Sequence, residues 1–324
     1  MTAILVCVGI NFALQLSNKW LVHRAGFHQP VSLTCAHFLI ICAMGTVVTW
    51  TGFNPHEPIR DRQQAVNIFI LALSVAVSLV TGIWSFMYIS VAMDVTIGCT
   101  TPAWTALLVG AVLGAHEPRS IWVSLVVTIA GSMLATGADP QFHVLGLSLA
   151  ATSTLTRAVK SVMQQKLMSS DTDKFTPVNL TRYMAAFGLV ILLPLAAALE
   201  GNAFLRTLQG NMWKAASSDA EEAMLGSAVP KVLFVNIFLA FGFTVSQYWM
   251  TKVTSAVTSQ VVGTSKNAVL STLSFVIFGD PLTLVAFLGY VVVYMGAGLY
   301  TYLRIHGVKA TQPNYNPLPV TSKP

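Results

Sequence analysis

Charge is what this sequence has least of. Asp, Glu, Lys and Arg make up 9% of its 324 residues, where a soluble domain carries roughly a quarter, and 54% of the chain is apolar. A large soluble catalytic domain is excluded, and the composition is that of an integral membrane protein. Acid is scarcer than base, 12 residues against 18, for a net charge of +6. This excess is no nucleic-acid signal, because the cations stand singly and form no cluster. Cysteine is also scarce: Cys7, Cys35, Cys42 and Cys99 lie in apolar runs, none in a C-x-x-C pair or beside His at ligand spacing. Neither a disulfide framework nor a zinc site is expected, and no cofactor. His23, His28, His37, His56, His116, His143 and His306 make no H-x-x-x-H pair, and no nucleophile–base spacing stands out, so an enzyme is not expected. A basic n-region and cleavage site are lacking after Met1, so no cleaved signal is expected, and no plastid address is visible.

What is present is a series of long apolar runs. Ten windows, at about 2–22, 31–50, 65–88, 92–113, 120–137, 144–165, 177–198, 230–250, 256–277 and 281–303, are bounded by polar residues or Pro/Gly breaks. Continuous runs of this length predict helices and not barrel strands, since a helix satisfies its own backbone in lipid. The expected fold is an all-α bundle of ten transmembrane helices. With both termini on one side, that side collects Arg60, Arg62, Arg119, Lys166, Lys174, Lys252, Arg304, Lys309 and Lys323. The other side has Arg24, Arg206, Lys214 and Lys231, so both termini are predicted cytosolic.

The halves echo each other. Tyr88-Ile89-Ser90 leads into the fourth window, which closes at Glu117-Pro118; Thr251-Lys252-Val253 leads into the ninth, which closes at Asp280-Pro281, 163 residues on. Five spans per half is odd, so the second copy inserts upside down and gives an inverted repeat. The expected units are 1–138 and 139–306, with a flexible cytosolic tail over 307–324. Pro102 and Pro194 interrupt the fourth and seventh windows as hinges, Gly110 and Gly114 form a G-x-x-x-G packing face, and 200–228 is the one long loop, with Asp219, Glu221 and Glu222 on a short surface helix.

Five cations remain inside windows: Lys19, Arg157, Lys160, Arg182 and Lys266. A cation near the bilayer centre costs at least ~2.5–3.5 kcal/mol, so it faces a cavity or a partner. Lys266 is mid-window, and its alternatives are a ligand role or pairing with Asp94, the one acid that falls inside a window. Arg157 and Lys160, three apart, share a helical face that Gln164 continues. They line one aqueous cavity, or else Lys160, about 7 Å from the window's end, snorkels. For Lys19 and Arg182 snorkelling is expected. Intramembrane cations in excess of carboxylates point to an anionic small-molecule substrate and away from proton coupling through an acid. Trp84 and Tyr88 close the third window as Tyr248 and Trp249 close the eighth, either as interface belts or as stacking platforms for a base.

The run Thr254-Ser255-Ala256-Val257-Thr258, then Val262-Gly263-Thr264-Ser265-Lys266, Phe278-Gly279-Asp280-Pro281 and Gly289-Tyr290 resembles the closing repeat of the triose-phosphate translocator family, within the drug/metabolite transporter superfamily. Asn18-Lys19, Leu33-Thr34, His37, Gly98-Cys99-Thr100-Thr101-Pro102, Phe142-His143, Arg157-Ala158-Val159-Lys160 and Asn179-Leu180 extend the likeness over nearly the whole chain. Within the family the sequence is similar to plant-type Golgi members that resemble UDP-sugar carriers, whose ninth span has one Lys followed by a small residue. Here Asn267 follows Lys266, and Gly98 stands where the plastid sugar-phosphate exchangers have another Lys. The resemblance implies an antiporter of a nucleotide sugar, of UDP-sugar type, against a nucleoside monophosphate in the Golgi or another endomembrane. The implied site residues are Lys266, Lys160, Arg157, Asn267, Gly98, Tyr88 and Tyr248. Alternatives are a sugar-phosphate or phosphoenolpyruvate/phosphate exchanger and a non-transporting scaffold of the same fold. The lipid bilayer is the surrounding partner, and a homodimer is compatible with such a bundle.

Overall fold

In a computed structural model, the described residues are 2–23, 26, 28–85, 87–89, 94, 97–136, 143–169, 175–215, 220–265 and 284–306. Among them the chain is a helical bundle: α1 Thr2–His23, α2 Pro30–Trp50, α3 Arg62–Ser85, α4 Thr101–Leu113, α5 Arg119–Thr136, α6 Val144–Ser169, α7 Pro177–Leu199, α8 Ala203–Ala215, α9 Ala220–Val253 and α10 Leu284–Ile305. A further helical stretch covers 256–265. Four helices are long and apolar enough to cross a membrane: α2, α3, α7 and Ser227–Val253 within α9. Residues 266–283 and the tail 307–324 lie outside the described residues, and with them Lys266 and Asn267.

Local sequence sets the helix ends. Pro30 and Pro177 occupy the first turns of α2 and α7, where the missing N–H costs nothing. Pro102 does the same for α4, so it starts that helix after a turn at 99–100 and does not bend the middle of a longer one as expected. Gly114 ends α4 with φ of 67°, its N–H donating to the Gly110 carbonyl. The expected G-x-x-x-G packing face is thus a helix terminus, and a Cβ on Gly110 would meet the His116 ring. The 200–228 region holds α8 and the first turns of α9, with Glu221 and Glu222 opening the long helix.

The helices pack as antiparallel partners. Glu57, in the loop after α2, accepts hydrogen bonds at the start of α7 from Thr176 N (2.6 Å) and Asn179 Nδ2 (3.1 Å). Glu200, just past α7, accepts at the start of α2 from Val31 N (2.8 Å) and Ser32 N (2.7 Å). Each helix therefore has its dipole complemented by the acid that follows the other, and Glu200 also satisfies two exposed N–H groups of α2. Asn179, the acceptor of an N-x-T sequon, is fully buried and also donates to the Pro55 carbonyl at 2.7 Å. Arg182 reaches out of the helix to His56 at 3.1 Å.

α5 and α10 meet backbone to backbone at Gly131 and Gly296. α3 runs against α6, where Ser153 Oγ donates to the Ser78 carbonyl at 2.9 Å, and α1 against α9, where buried Asn236 bridges Ser17, Asn18 and His37. One apolar core joins α2, α3, α6, α7 and α9 around Phe38, Leu71, Leu167 and Leu180; another joins α4, α5, α6, 256–265 and α10 around Val109, Ile121, Val261 and Tyr300. α6 is the wall common to both.

Candidate functional site

α6 is longer than the spanning helices α2, α3 and α7 but carries Arg157, Lys160, Gln164 and Gln165 in its inner turns. Arg157 stands at its middle. The guanidinium Nε donates to the Ser153 carbonyl at 3.4 Å, a long bond. The end of the fork then faces Gly98: a methyl group placed there would be 3.6 Å from Nη1 and 3.7 Å from Nη2. No carboxylate among the described residues closes on Arg157 to ion-pair distance, in contrast to Arg304 and Glu117 at 2.5 Å at the end of the bundle. A planar guanidinium with no carboxylate at ion-pair distance among the described residues has the geometry to hold an anion with two parallel N–H bonds.

Asp94 belongs to the same place. It is four residues before Gly98 in sequence, 7% exposed, and accepts a hydrogen bond from Ser85 Oγ at 3.0 Å. Its charge and that of Arg157 act on each other. The sequence offered Asp94 as an alternative partner for Lys266; the described neighbours are Ser85 and Arg157.

Lys160, half-buried, follows Arg157 on the inner side of α6. Because α6 continues to Ser169, four residues past the expected end, Lys160 sits roughly 13 Å from the terminus at 1.5 Å per residue. Snorkelling over that distance is much harder than over the 7 Å expected. Gln164, another turn on, is buried beside Tyr248 of α9, a residue with no exposed surface. Among the described residues neither Gln164 Nε2 nor the Tyr248 hydroxyl has a partner at full hydrogen-bond geometry, although the two side chains adjoin.

The 256–265 stretch runs antiparallel along α6. Ala256 N donates to Gln165 Oε1 at 2.7 Å, and Gln260 donates to Ser161. Four residues on in each helix the register brings Thr264 to the level of Arg157. Tyr88 is elsewhere: its ring stacks on His143 with centroids 4.9 Å apart, 38% exposed, against Gly146 at the start of α6. Eleven residues of helix, roughly 16 Å, separate that contact from Arg157. Among the described residues Arg157 therefore faces Gly98, Lys160 follows Arg157 by one turn of α6, Tyr248 lies beside Gln164 one turn further, and Tyr88 is apart.

Comparison with known proteins agrees with this architecture. A relative from Arabidopsis thaliana named a probable sugar phosphate/phosphate translocator is 33% identical over 91% of this chain and 79% of its own. The UDP-uronic acid transporter 1 of the same plant is 29% identical over 92% of this chain and 93% of its own, and its UDP-galactose transporter 1 is 28% identical over 93% and 86%. A solved crystal structure, 14% identical, superposes with a TM-score of 0.66 over 94% of this chain and 98% of that one, a likeness of fold. The model of the triose-phosphate transporter family matches residues 3–301. With that match running over every described helix except the last few residues of α10, the chain belongs to the triose-phosphate transporter family, a family of membrane transporters.

Proposed function

We propose that this chain is a secondary-active antiporter that exchanges a cytosolic nucleotide sugar, of UDP-sugar type, for a lumenal nucleoside monophosphate across a Golgi or related endomembrane. The observation that carries the reading is the unpaired Arg157 fork at mid-helix, held against a glycine. A cation kept in such a place without a carboxylate in contact is stabilised when an anion arrives. In the reading, Arg157 and Lys266 grip the phosphates, Lys160 attracts the anion from the cytosolic end, and Tyr248 with Gln164 gains partners when the helices around it part. Asn267 lines the wall beside Lys266, and Tyr88 receives the solute at the opposite mouth. Lys266 is two residues past Thr264, which supports its assignment to this level. A cavity that holds Arg157 without a bound anion resists reorientation, and exchange follows.

The ten-span inverted repeat is part of the proposal, with both termini cytosolic. Its support is the exchange symmetry of the packing: α3 against α6 is matched by α9 against α1, and α2 and α7 cap one another. Gly98 supports the reading in another way: a lysine there would run into the Arg157 guanidinium, which now faces the glycine. Sugar-phosphate exchange is the second reading, favoured by the name of the relative that is 33% identical. Counterflow decides between them. Proteoliposomes preloaded with UMP are expected to accumulate a labelled UDP-sugar, and those preloaded with phosphate are not; phosphate-driven uptake of a labelled triose phosphate would establish the second reading instead.

A Gly98→Lys, Asn267→Arg variant is expected to move selectivity towards small phosphates. The new ammonium would share the space now facing Arg157, concentrating charge while removing volume. Competition by UMP and phosphate against bound labelled nucleotide checks this, with an expected shift of the affinity ratio by about tenfold or more. An unchanged ratio would take both positions out of the substrate path.

A further inference from the structure

We propose that Asp94 is a specificity residue of this site: it accepts hydroxyl groups of a phosphorylated polyol whose phosphate is held by Arg157. The inference rests on the anion-site reading given above and adds to it the chemical class of what the phosphate must carry.

Asp94 is nearly enclosed, and one of its oxygens takes the Ser85 hydroxyl. The second accepts no hydrogen bond among the described residues. A carboxylate among membrane helices is costly unless it is matched by a partner, and the obvious one, Arg157, is near enough to feel its charge without touching it. Two charges placed to stabilise the fold would close on each other, as Arg304 and Glu117 do at 2.5 Å. Gly98 explains how the two come to face one space. Arg157 lies over it, and Asp94 is held by Ser85, three residues past Gly82, where an added Cβ would be 3.0 Å from Ser153 Oγ, one turn of α6 before Arg157. A guanidinium donates only and an ionised carboxylate accepts only. Held apart on one wall, they fit a ligand that accepts at one end and donates a few ångströms away. A phosphate ester of a ribose or hexose has that pattern. A phosphate without hydroxyl groups offers Asp94 nothing to accept, and brings a second negative charge towards it. The acid therefore selects against compact anions such as phosphoenolpyruvate and in favour of polyhydroxylated ones, the opposite of adding a lysine at Gly98.

The test uses the full-length protein in detergent and four probes at pH 8. UMP and UDP-galactose carry hydroxyl groups; phosphoenolpyruvate and phenyl phosphate do not. Affinities are measured for wild type, Asp94→Asn and Arg157→Gln, with thermal stability as a check on folding. Asp94→Asn keeps an oxygen for Ser85 and loses only the charge. It is expected to weaken UMP and UDP-galactose about tenfold and to strengthen the other two severalfold, because hydrogen bonds to a charged acceptor are the strong ones. Arg157→Gln is expected to weaken all four. If Asp94→Asn strengthens all four equally or moves none, Asp94 is only an internal counter-ion and the proposal falls alone. If Arg157→Gln binds all four as the wild type does, the anion site is elsewhere and both readings fall. Should Asp94→Asn fail to fold, Asp94→Ser, which removes the charge and keeps a small hydroxyl, gives the same comparison.

Discussion

Arg157→Gln is expected to abolish exchange in proteoliposomes while the protein still folds. The guanidinium makes one long hydrogen bond, to the Ser153 carbonyl, which Ser153 retains as an ordinary helical acceptor when the side chain is shortened. What the fold loses is the field of Arg157 on Asp94, and Asp94 keeps the Ser85 hydroxyl. What the substrate loses is a bidentate, charge-assisted contact in a low-dielectric site. One such hydrogen bond contributes about 1.5–3 kcal/mol, or roughly 10–150-fold in affinity, and the two of the fork exceed that together. Lys266→Ala is expected to show the same signature, near-complete loss of exchange with wild-type expression and thermal stability. Counterflow rates and melting temperatures measured on the same preparations check both variants. A normal rate would remove the residue from the site. A collapse of stability would make it structural, since stranding the partner of a buried charge costs about 3–5 kcal/mol.

How much of this was legible in the sequence depended on the range of the interaction. Helix existence follows from apolar runs and Pro punctuation, which are local, and every one of the ten windows contains helix among the described residues. The cationic face of α6 was legible for the same reason, because Arg157, Lys160 and Gln164 are separated by single turns. Boundaries failed where a local feature had two meanings. Pro102 reads equally as a kink or a first turn, and Gly114 as a packing surface or a left-handed cap; what decides is whether the preceding turn is helical, which composition does not say. Glu57 and Glu200 stand outside the apolar windows, yet each binds the start of a helix that is more than a hundred residues away in sequence. Asp94 and Arg157 lie 63 residues apart, so nothing in the spacing of either helix joins them. Only the placement of the Arg157 fork on Gly98 does so.

The α5–α10 contact is where the smallest change is expected to do the largest structural harm. A Cβ on Gly131 would lie 2.6 Å from the Val293 amide nitrogen, 2.9 Å from the Val292 carbonyl carbon and 3.0 Å from the Gly289 oxygen, all backbone atoms that cannot rotate away. Reciprocally, a Cβ on Gly296 would meet Thr128 at Oγ1 and, at 2.7 Å, at the amide nitrogen, so trimming the threonine side chain gives no relief. Small residues at such crossings let backbones approach, and dispersion across the close contact replaces the hydrophobic drive that lipid does not supply. Gly131→Ala must separate the helices by several tenths of an ångström along the whole crossing. Overpacking costs about 1–3 kcal/mol, of which the better helix propensity of alanine returns at most about 1. Gly131→Leu exceeds what the pair can absorb and is expected to prevent folding. Gly298, on α10 but with nothing within 4 Å of its added methyl, is the internal control: Gly298→Ala should be neutral or slightly stabilising. Melting in detergent, followed by fluorescence-detected size exclusion, is expected to rank Gly298→Ala with or above wild type, Gly131→Ala and Gly296→Ala clearly below, and Gly131→Leu as aggregate. Equal melting of Gly131→Ala and Gly298→Ala would show that α5 and α10 are not held at this distance. The pair could then slide, and the moving parts of the transport cycle would include it.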